Sequence, residues 1–232
     1  MITTPPRVLI LQANGTNRDH DAALACELAG AKPEIVHINQ LLSGERRLLD
    51  YGMLVLPGGF SYGDDLGAGA LWALEMHHRL GEDLAHFAAT GRPLLGICNG
   101  FQVLTESGLL PGALMRNAGL KFVCKPVTLR VEESQSSFTR KYEKGQTVTF
   151  PVAHGEGNYY ADDETLNRLE GEGRVMFRYQ DNPNGSARDI AGILNEKRNV
   201  LGLMPHPERV VDPATGGTDG RALFQSLIEA LS

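Results

Sequence analysis

Apolar positions along this chain follow two different periods. Val8–Leu11, Ile35–Ile38, Met53–Leu56 and Leu94–Ile97 are short, nearly continuous apolar runs, the pattern of strands buried on both faces. Between them the spacing is helical, from about Asp19 to Ala29, Leu71 to Leu80 and Leu84 to Ala89. Strands alternating with helices predict an α/β fold, a parallel sheet with helical cover on both faces. Near Lys121 the period becomes two, with Val127, Leu129 and Val131 on one side and Thr128 and Arg130 on the other. That change predicts a half-exposed antiparallel excursion reaching to Pro151. The last segment puts Leu223, Phe224, Leu227, Ile228 and Leu231 on one helical face, with Asp219 as its N-cap. No internal repeat or low-complexity linker interrupts the pattern, so a single domain over residues 1–232 is expected.

Composition narrows the function more than the fold. The net charge is -6 and no Lys- or Arg-rich run occurs, which counts against a nucleic-acid groove or an anionic membrane surface. Met1–Pro6 lacks the charged start and apolar stretch of a secretion signal, and no apolar run nears the ~18 residues of a membrane span. Cys26, Cys98 and Cys124 are odd in number and widely spaced, which fits neither a disulfide framework nor a zinc knuckle. A reducing cytoplasm is the expected compartment. Ala22, Cys26 and Ala29 form a small-residue stripe at helical spacing, so Cys26 is expected to pack a helix on the sheet; Cys124 is expected to be buried with Leu120 and Phe122. The acidic pairs Asp64-Asp65, Glu132-Glu133 and Asp162-Asp163 read as solvated loop residues, and no metal site is expected.

In an open α/β sheet, ligands gather beyond the carboxyl ends of the strands. Four such loops are unusual here: Gln12–Asn17, Pro57–Asp64, the turn at Cys98, and Pro205–Arg209. Pro93 to Gln102 reads as a strand that drives Cys98 into a sharp turn opening a helix, with Gly96 and Gly100 removing Cβ atoms on either side. Such a corner makes a reactive thiol near helix N-terminal amides, though a free cysteine can equally be a small core residue. Pro205 and Pro207 hold Met204 and His206 extended, so His206 and Glu208 share one face. A carboxylate beside an imidazole is the orienter of a nucleophile–base–orienter triad. Gly59 can turn its amide inward, and the amide of Asn99 is a second donor, so the two could form an oxyanion hole. The Gly-rich run to Gly69 has no Gly-Lys-Ser or Gly-Lys-Thr ending and is not a Walker phosphate loop. His20, His37, His77, His78 and His86 lack such partners and read as ordinary.

Gly96-Ile97-Cys98-Asn99-Gly100-Phe101-Gln102 resembles throughout the Gly-x-Cys-x-Gly-x-Gln elbow of the triad-type (class I) glutamine amidotransferases. Gly58–Asp64, Cys98–Gln102, Ala153–Tyr159, Asp181–Ser186 and Met204–Arg209 further resemble the glutaminase subunits of phosphoribosylformylglycinamidine synthases, and these blocks span most of the chain. The resemblance implies a flavodoxin-like three-layer fold with a mostly parallel central sheet. It implies hydrolysis of L-glutamine through a Cys98 thioester, with His206 managing protons, Glu208 holding His206, Gly59 and Asn99 stabilising the oxyanion, and Gln102 positioning substrate. Ammonia would pass to an ATP- and Mg-using synthase subunit (PurL), with the small PurS subunit, to convert formylglycinamide ribonucleotide to formylglycinamidine ribonucleotide in purine biosynthesis. No cofactor is implied in this chain. The loop His154-Gly155-Glu156-Gly157 is expected near the site or the subunit interface. Two departures bear on docking: relatives often carry cysteine where this chain has Arg18, and a bulky basic residue where it reads Leu66-Gly67-Ala68. The residues alone leave open a free-standing cysteine hydrolase or a non-catalytic scaffold on the same fold.

Overall fold

The computed structural model describes residues 4–59 and 81–231. The expected helix from Leu71 to Leu80, with Trp72, His77 and His78, lies outside the described residues, as do Phe60–Asp64, Asp65, Gly69 and Leu66-Gly67-Ala68. In chain order the elements are β1 (Arg7–Gln12), α1 (Asp19–Leu28), β2 (Lys32–His37), α2 (Ile38–Leu42), β3 (Met53–Leu56), the helical residues 81–89 (α3) and β4 (Leu94–Ile97). There follow α4 (Asn99–Glu106), β5 (Ala113–Met115), β6 (Val123–Val131), β7 (Thr147–His154), β8 (Asn158–Tyr160) and α5 (Asp163–Gly171). The chain closes with β9 (Val175–Tyr179), β10 (Ile190–Leu194), β11 (Val200–Leu203) and α6 (Arg221–Ala230).

The main sheet has nine strands in the order β2-β1-β3-β4-β11-β10-β9-β6-β7. β2, β1, β3, β4 and β11 pair in parallel, and the rest of the sheet pairs antiparallel. The continuous apolar runs do form the parallel half: every residue of β3, β4 and β11 is buried. The alternating segment does form an antiparallel hairpin, β6 against β7, with Val127, Leu129 and Val131 buried. The antiparallel region is wider than an excursion ending at Pro151, because β9 and β10 join it. Their apolar runs are continuous like those of the parallel strands, and composition does not encode direction. Outside this sheet, β5 and β8 pair with each other. No helix among the described residues is long and apolar enough to cross a membrane.

Helices seat on the sheet through small residues and apolar faces. Ala22, Ala25 and Cys26 of α1 are buried, and burial raises the Cys26 thiol to about 12, so it packs as an inert apolar group. Leu223, Phe224, Leu227 and Ile228 of α6 are buried as their spacing predicts, each worth roughly 1.5–3 kcal/mol. Asp219 does not cap α6. The cap position is Gly220, where a Cβ would collide with the Pro207 carbonyl, and the Asp219 carboxylate accepts from the Thr149 amide at 2.8 Å instead. α4 lies against β11 at Gly202, where any side chain would meet the Phe101 ring.

Gly202→Ala should therefore lower stability by at least about 1–3 kcal/mol through overpacking beneath α4. A urea midpoint equal to that of the unchanged chain would contradict this close packing.

Candidate active site

Because β1, β3, β4 and β11 run parallel side by side, the segments after Gln12, Leu56, Ile97 and Leu203 leave the same edge of the sheet. They surround a cavity of about 560 Å³ lined by Asn17, Gly59, Cys98, Asn99, Gln102 and His206 among others. The remaining wall comes from the end of β7 and the turn after it, Ala153 to Glu156. All the residues expected to form the site thus reach one cavity, apart from Glu208, which stands behind His206.

Cys98 occupies the corner between β4 and α4 with φ 52° and ψ −105°. This conformation costs an L-residue on the order of 1–3 kcal/mol. Hydrogen bonds hold it there: the Cys98 amide donates to Leu203 at 2.8 Å, and its carbonyl accepts from Phe101 and Gln102 at 3.0 and 3.2 Å. A Cβ at Gly96 would lie 2.5 Å from the Leu104 side chain, and one at Gly100 would collide with the Leu56 carbonyl. Both glycines are therefore required by close approach. The thiol emerges against β7, with Sγ 3.9 Å from the Ala153 carbonyl.

His206 and Glu208 form a buried pair, with Nδ1 and Oε1 2.6 Å apart and side chains 3% and 0% exposed. The His206 amide docks on the Pro151 carbonyl at 2.8 Å, which fixes the loop to β7. Burial alone would favour neutral imidazole, but the charges of Glu208 and Cys98 and their hydrogen bonding outweigh it, and the pKa rises well above the ordinary histidine value. With Nδ1 committed to Glu208, Nε2 is the nitrogen left toward the thiol; it is buried and makes no hydrogen bond of standard length. A long nucleophile–base contact is common before substrate binds. Gly58 packs against both groups, since a Cβ there would lie 2.7 Å from His206 Cε1 and 3.4 Å from Cys98 Cβ. Gly59 has φ 147° and bridges to Thr16, and a side chain would come 2.7 Å from the Asn17 amide. The arrangement brings a thiol and a carboxylate-oriented base to one cavity, two of the parts that acyl transfer through a covalent intermediate requires.

Gln102 borders the cavity with both ends of its amide engaged. Asn99 Nδ2 donates to its Oε1 at 2.9 Å, and its Nε2 donates to the Glu156 carbonyl at 2.8 Å. His154, 3% exposed, is held differently from His206. Asn117 donates through Nδ2 to the His154 carbonyl, so its Oδ1 is the acceptor for His154 Nδ1–H at 3.1 Å, and Asn184 Nδ2 approaches Nε2 at 3.5 Å. Burial, assisted by the positive charge of His206, pushes the His154 pKa down to about 4, so it stays neutral.

Cys124 is not buried. It is exposed and borders the cavity, as does Phe122, because the first residues of β6 extend past the core and their alternation no longer has a buried side. Arg18 also borders the cavity and pairs with Asp21 at 3.1 Å. Gly58, Asn117 and Asn184 are the site residues that sequence patterning did not single out by role. Gly58 and Asn184 fall inside the resembling blocks, whereas nothing in the local sequence marks Asn117. Among the described residues, no group of three or more His, Cys, Asp or Glu side chains is arranged to hold a metal ion.

Residues 5–218 match the family model for the CobB/CobQ-like glutamine amidotransferase domain. The chain is 53% identical, over 94% of itself and 94% of the relative, to phosphoribosylformylglycinamidine synthase subunit PurQ of Novosphingobium aromaticivorans. It is 52% identical to the same subunit of Thermus thermophilus, over 97% and 99% of the two chains. A chain in the structure of PurLQS from Thermotoga maritima superposes with a TM-score of 0.88 at 43% identity, covering 99% of this chain and 100% of that one. A glutamine amidotransferase structure from Thermotoga maritima, 17% identical with a TM-score of 0.63 over 99% of both chains, shares the fold.

Gly58→Ala should displace the imidazole, slowing alkylation of Cys98 by a glutamine-analogue electrophile at least about tenfold while the melting temperature moves little; an unchanged labelling rate would sink the contact argument. His154 should keep a neutral-tautomer ¹⁵N signature from pH 7 to below pH 5. Its depressed pKa makes the unfolded chain bind the extra proton first, so this histidine's contribution to stability is full above pH 6.5 and falls as pH drops toward about 4. Titration of His154 near 6.5 would contradict the buried network.

Proposed function

We propose, from the premise that this chain belongs to the CobB/CobQ-like glutamine amidotransferase family, that it is the glutaminase subunit of a phosphoribosylformylglycinamidine synthase. In this reading it hydrolyses L-glutamine and delivers ammonia to a PurL-type synthase subunit, working with a PurS-type small subunit in the cytoplasm. The synthase uses ATP and Mg to convert formylglycinamide ribonucleotide to formylglycinamidine ribonucleotide. The names carried by relatives at about half identity over nearly the whole chain support the acceptor and the partner. The observation that carries the chemistry is the 2.6 Å His206–Glu208 pair beside the strained Cys98 corner in one cavity.

The proposed reaction has two halves. The Cys98 thiol gives its proton to His206 Nε2, its sulfur attacks the side-chain amide carbon of glutamine, and the carbonyl π pair moves onto the oxygen, which would face the amides of Gly59 and Asn99. Collapse breaks the C–N bond; His206, protonated at Nε2, gives its proton to the leaving nitrogen, and ammonia departs from a γ-glutamyl thioester. Water then attacks the thioester while Nε2 takes its proton, the C–S bond breaks, and glutamate leaves with the thiol restored. Glu208 keeps Nδ1 protonated and oriented through both halves. Gln102, locked between Asn99 and Glu156, would shape the wall against which the substrate lies. An amino-acid substrate suits the mixed charge of the cavity: Arg116, Lys121 and Arg209 fit a carboxylate, and Glu156 fits an ammonium group.

Cys98→Ala should abolish glutamine-dependent synthesis in the complex with synthase while added ammonia still supports it. Equal failure with both nitrogen sources would refute the role. Full glutamine turnover without any synthase would instead indicate a free-standing hydrolase, and failure of a glutamine-analogue electrophile to label Cys98 would indicate a scaffold. Glu208→Gln should lower the glutamine-dependent rate by roughly 10²–10⁴-fold and leave the ammonia-dependent rate unchanged.

A further inference from the structure

Leu120 is 81% exposed, the largest exposure among the large hydrophobic side chains of the described residues, and it stands at the rim of the cavity. Its backbone is at φ 53°, a region that leucine resists and glycine or asparagine enters readily. The chain therefore bears two unfavourable terms at one residue, a strained backbone and an apolar side chain in water.

The segment that displays Leu120 is not loose. Asn117, 1% exposed, donates from Nδ2 to the Lys121 carbonyl at 2.8 Å and to the His154 carbonyl at 2.9 Å, while its Oδ1 accepts from the Gly157 amide at 3.0 Å. The Asn117 amide donates to Gly155, the Ala118 amide to Asn184, and the Leu120 amide closes the turn onto Asn117 at 2.8 Å. Beside it Phe122, 53% exposed, lies over Gly155, Lys121 adds positive charge at the same rim, and Arg116 stands there paired with Glu156 at 3.7 Å. A rigid, exposed apolar residue with cations around it has the make-up of a binding anchor whose ordering cost is met before association.

We propose that residues 117–122 form the surface on which the synthase subunit docks, with Leu120 as the apolar anchor and an apolar, acid-rimmed patch on the synthase as its counterpart. This rests on the glutaminase reading above. The occupant follows from position: in the glutaminase reading the product made at Cys98 is what the synthase consumes, Leu120 and Lys121 border the cavity that holds Cys98, and a chain 43% identical to this one was solved in a structure of PurLQS. A second copy of this chain would cover the mouth without receiving the product.

Leu120→Gly separates docking from folding, because it removes the side chain and relieves the positive-φ strain together. The melting temperature should hold or rise, and Cys98 in the isolated variant should react with a chloromethyl-ketone analogue of glutamine at the unchanged rate. Affinity for the purified synthase with its small subunit, measured by biolayer interferometry, should fall at least about tenfold. Glutamine-dependent synthesis at limiting subunit concentration should fall with it, while ammonia-dependent synthesis stays level. Leu120→Asp should weaken binding further. Unchanged affinity in both variants would overturn the surface and leave the glutaminase reading standing; so would a lowered melting temperature with slowed labelling, the mark of a merely structural role. Self-association of the unchanged chain that Leu120→Gly abolishes would assign the surface to a second copy instead. Failure of the unchanged chain to bind the synthase at all would overturn the glutaminase reading, and this surface with it.

Discussion

A strand hands Cys98 directly to a helix, and the backbone makes that turn at φ 52° and ψ −105°. An L-residue stays in such a conformation only when its surroundings over-determine it. Here the surroundings are missing side chains as much as present ones. Gly100 lets α4 start against the Leu56 carbonyl, Gly96 leaves room for Leu104, and Gly202 on the neighbouring strand receives the Phe101 ring. The bond from the Cys98 amide to Leu203 then ties the turn to β11. Cys26 shows the alternative fate of the same residue type: on a regular helix it is fully buried and its thiol is held protonated by burial.

Two buried histidines border the same cavity in opposite charge states, and their partners decide which is which. His206 meets a carboxylate at 2.6 Å, and that charge, with the thiol, offsets the cost of burying an imidazolium. His154 meets only the neutral amides of Asn117 and Asn184, so burial wins and the ring stays uncharged. Each choice reinforces the other, because a second imidazolium would repel the first. A neutral His154 keeps Nε2 as an acceptor for Asn184 Nδ2, which also donates to the Gly157 carbonyl at 2.8 Å, and these contacts hold the 154–157 turn whose Glu156 carbonyl fixes Gln102. The charge state of one side chain thereby bears on the shape of the wall opposite Cys98.

What could be read from the chain depended on how local the physical cause was. The elbow was legible because its glycines bracket the cysteine in sequence, although Gly100 answers to the Leu56 carbonyl on the neighbouring strand; His206 and Glu208 do pair, but across a 3-10 turn over Pro207–Arg209 rather than along an extended chain. Parallel strands announced themselves by continuous apolar runs; β9 and β10 carry similar runs, and pairing direction is set by connections the run does not encode. Cys124 misled because alternation predicts a buried side only where a layer packs on the strand, and β6 outruns that layer at its start. Asn117 gave no signal at all. Its importance comes from four hydrogen bonds, three of them to His154 and Gly157 some forty positions away, which exist only once β7 and its turn are in place.

The change of direction in the sheet has its own consequence for the site. β11 is the seam: on one side it pairs in parallel with β4, register Leu203 with Ile97, and on the other antiparallel with β10. Cys98 comes from the parallel half, and the wall facing it, Ala153 to Glu156, from the antiparallel half. His206 leaves the seam strand itself and docks by its amide on Pro151 of β7. A parallel sheet alone would gather the thiol and the imidazole at one edge and leave that edge open to water. Extending the sheet through antiparallel strands, which need only short connections, carries β7 round to close the far side. The cavity is therefore a product of the whole sheet, and loosening either half would separate the thiol from the wall it faces.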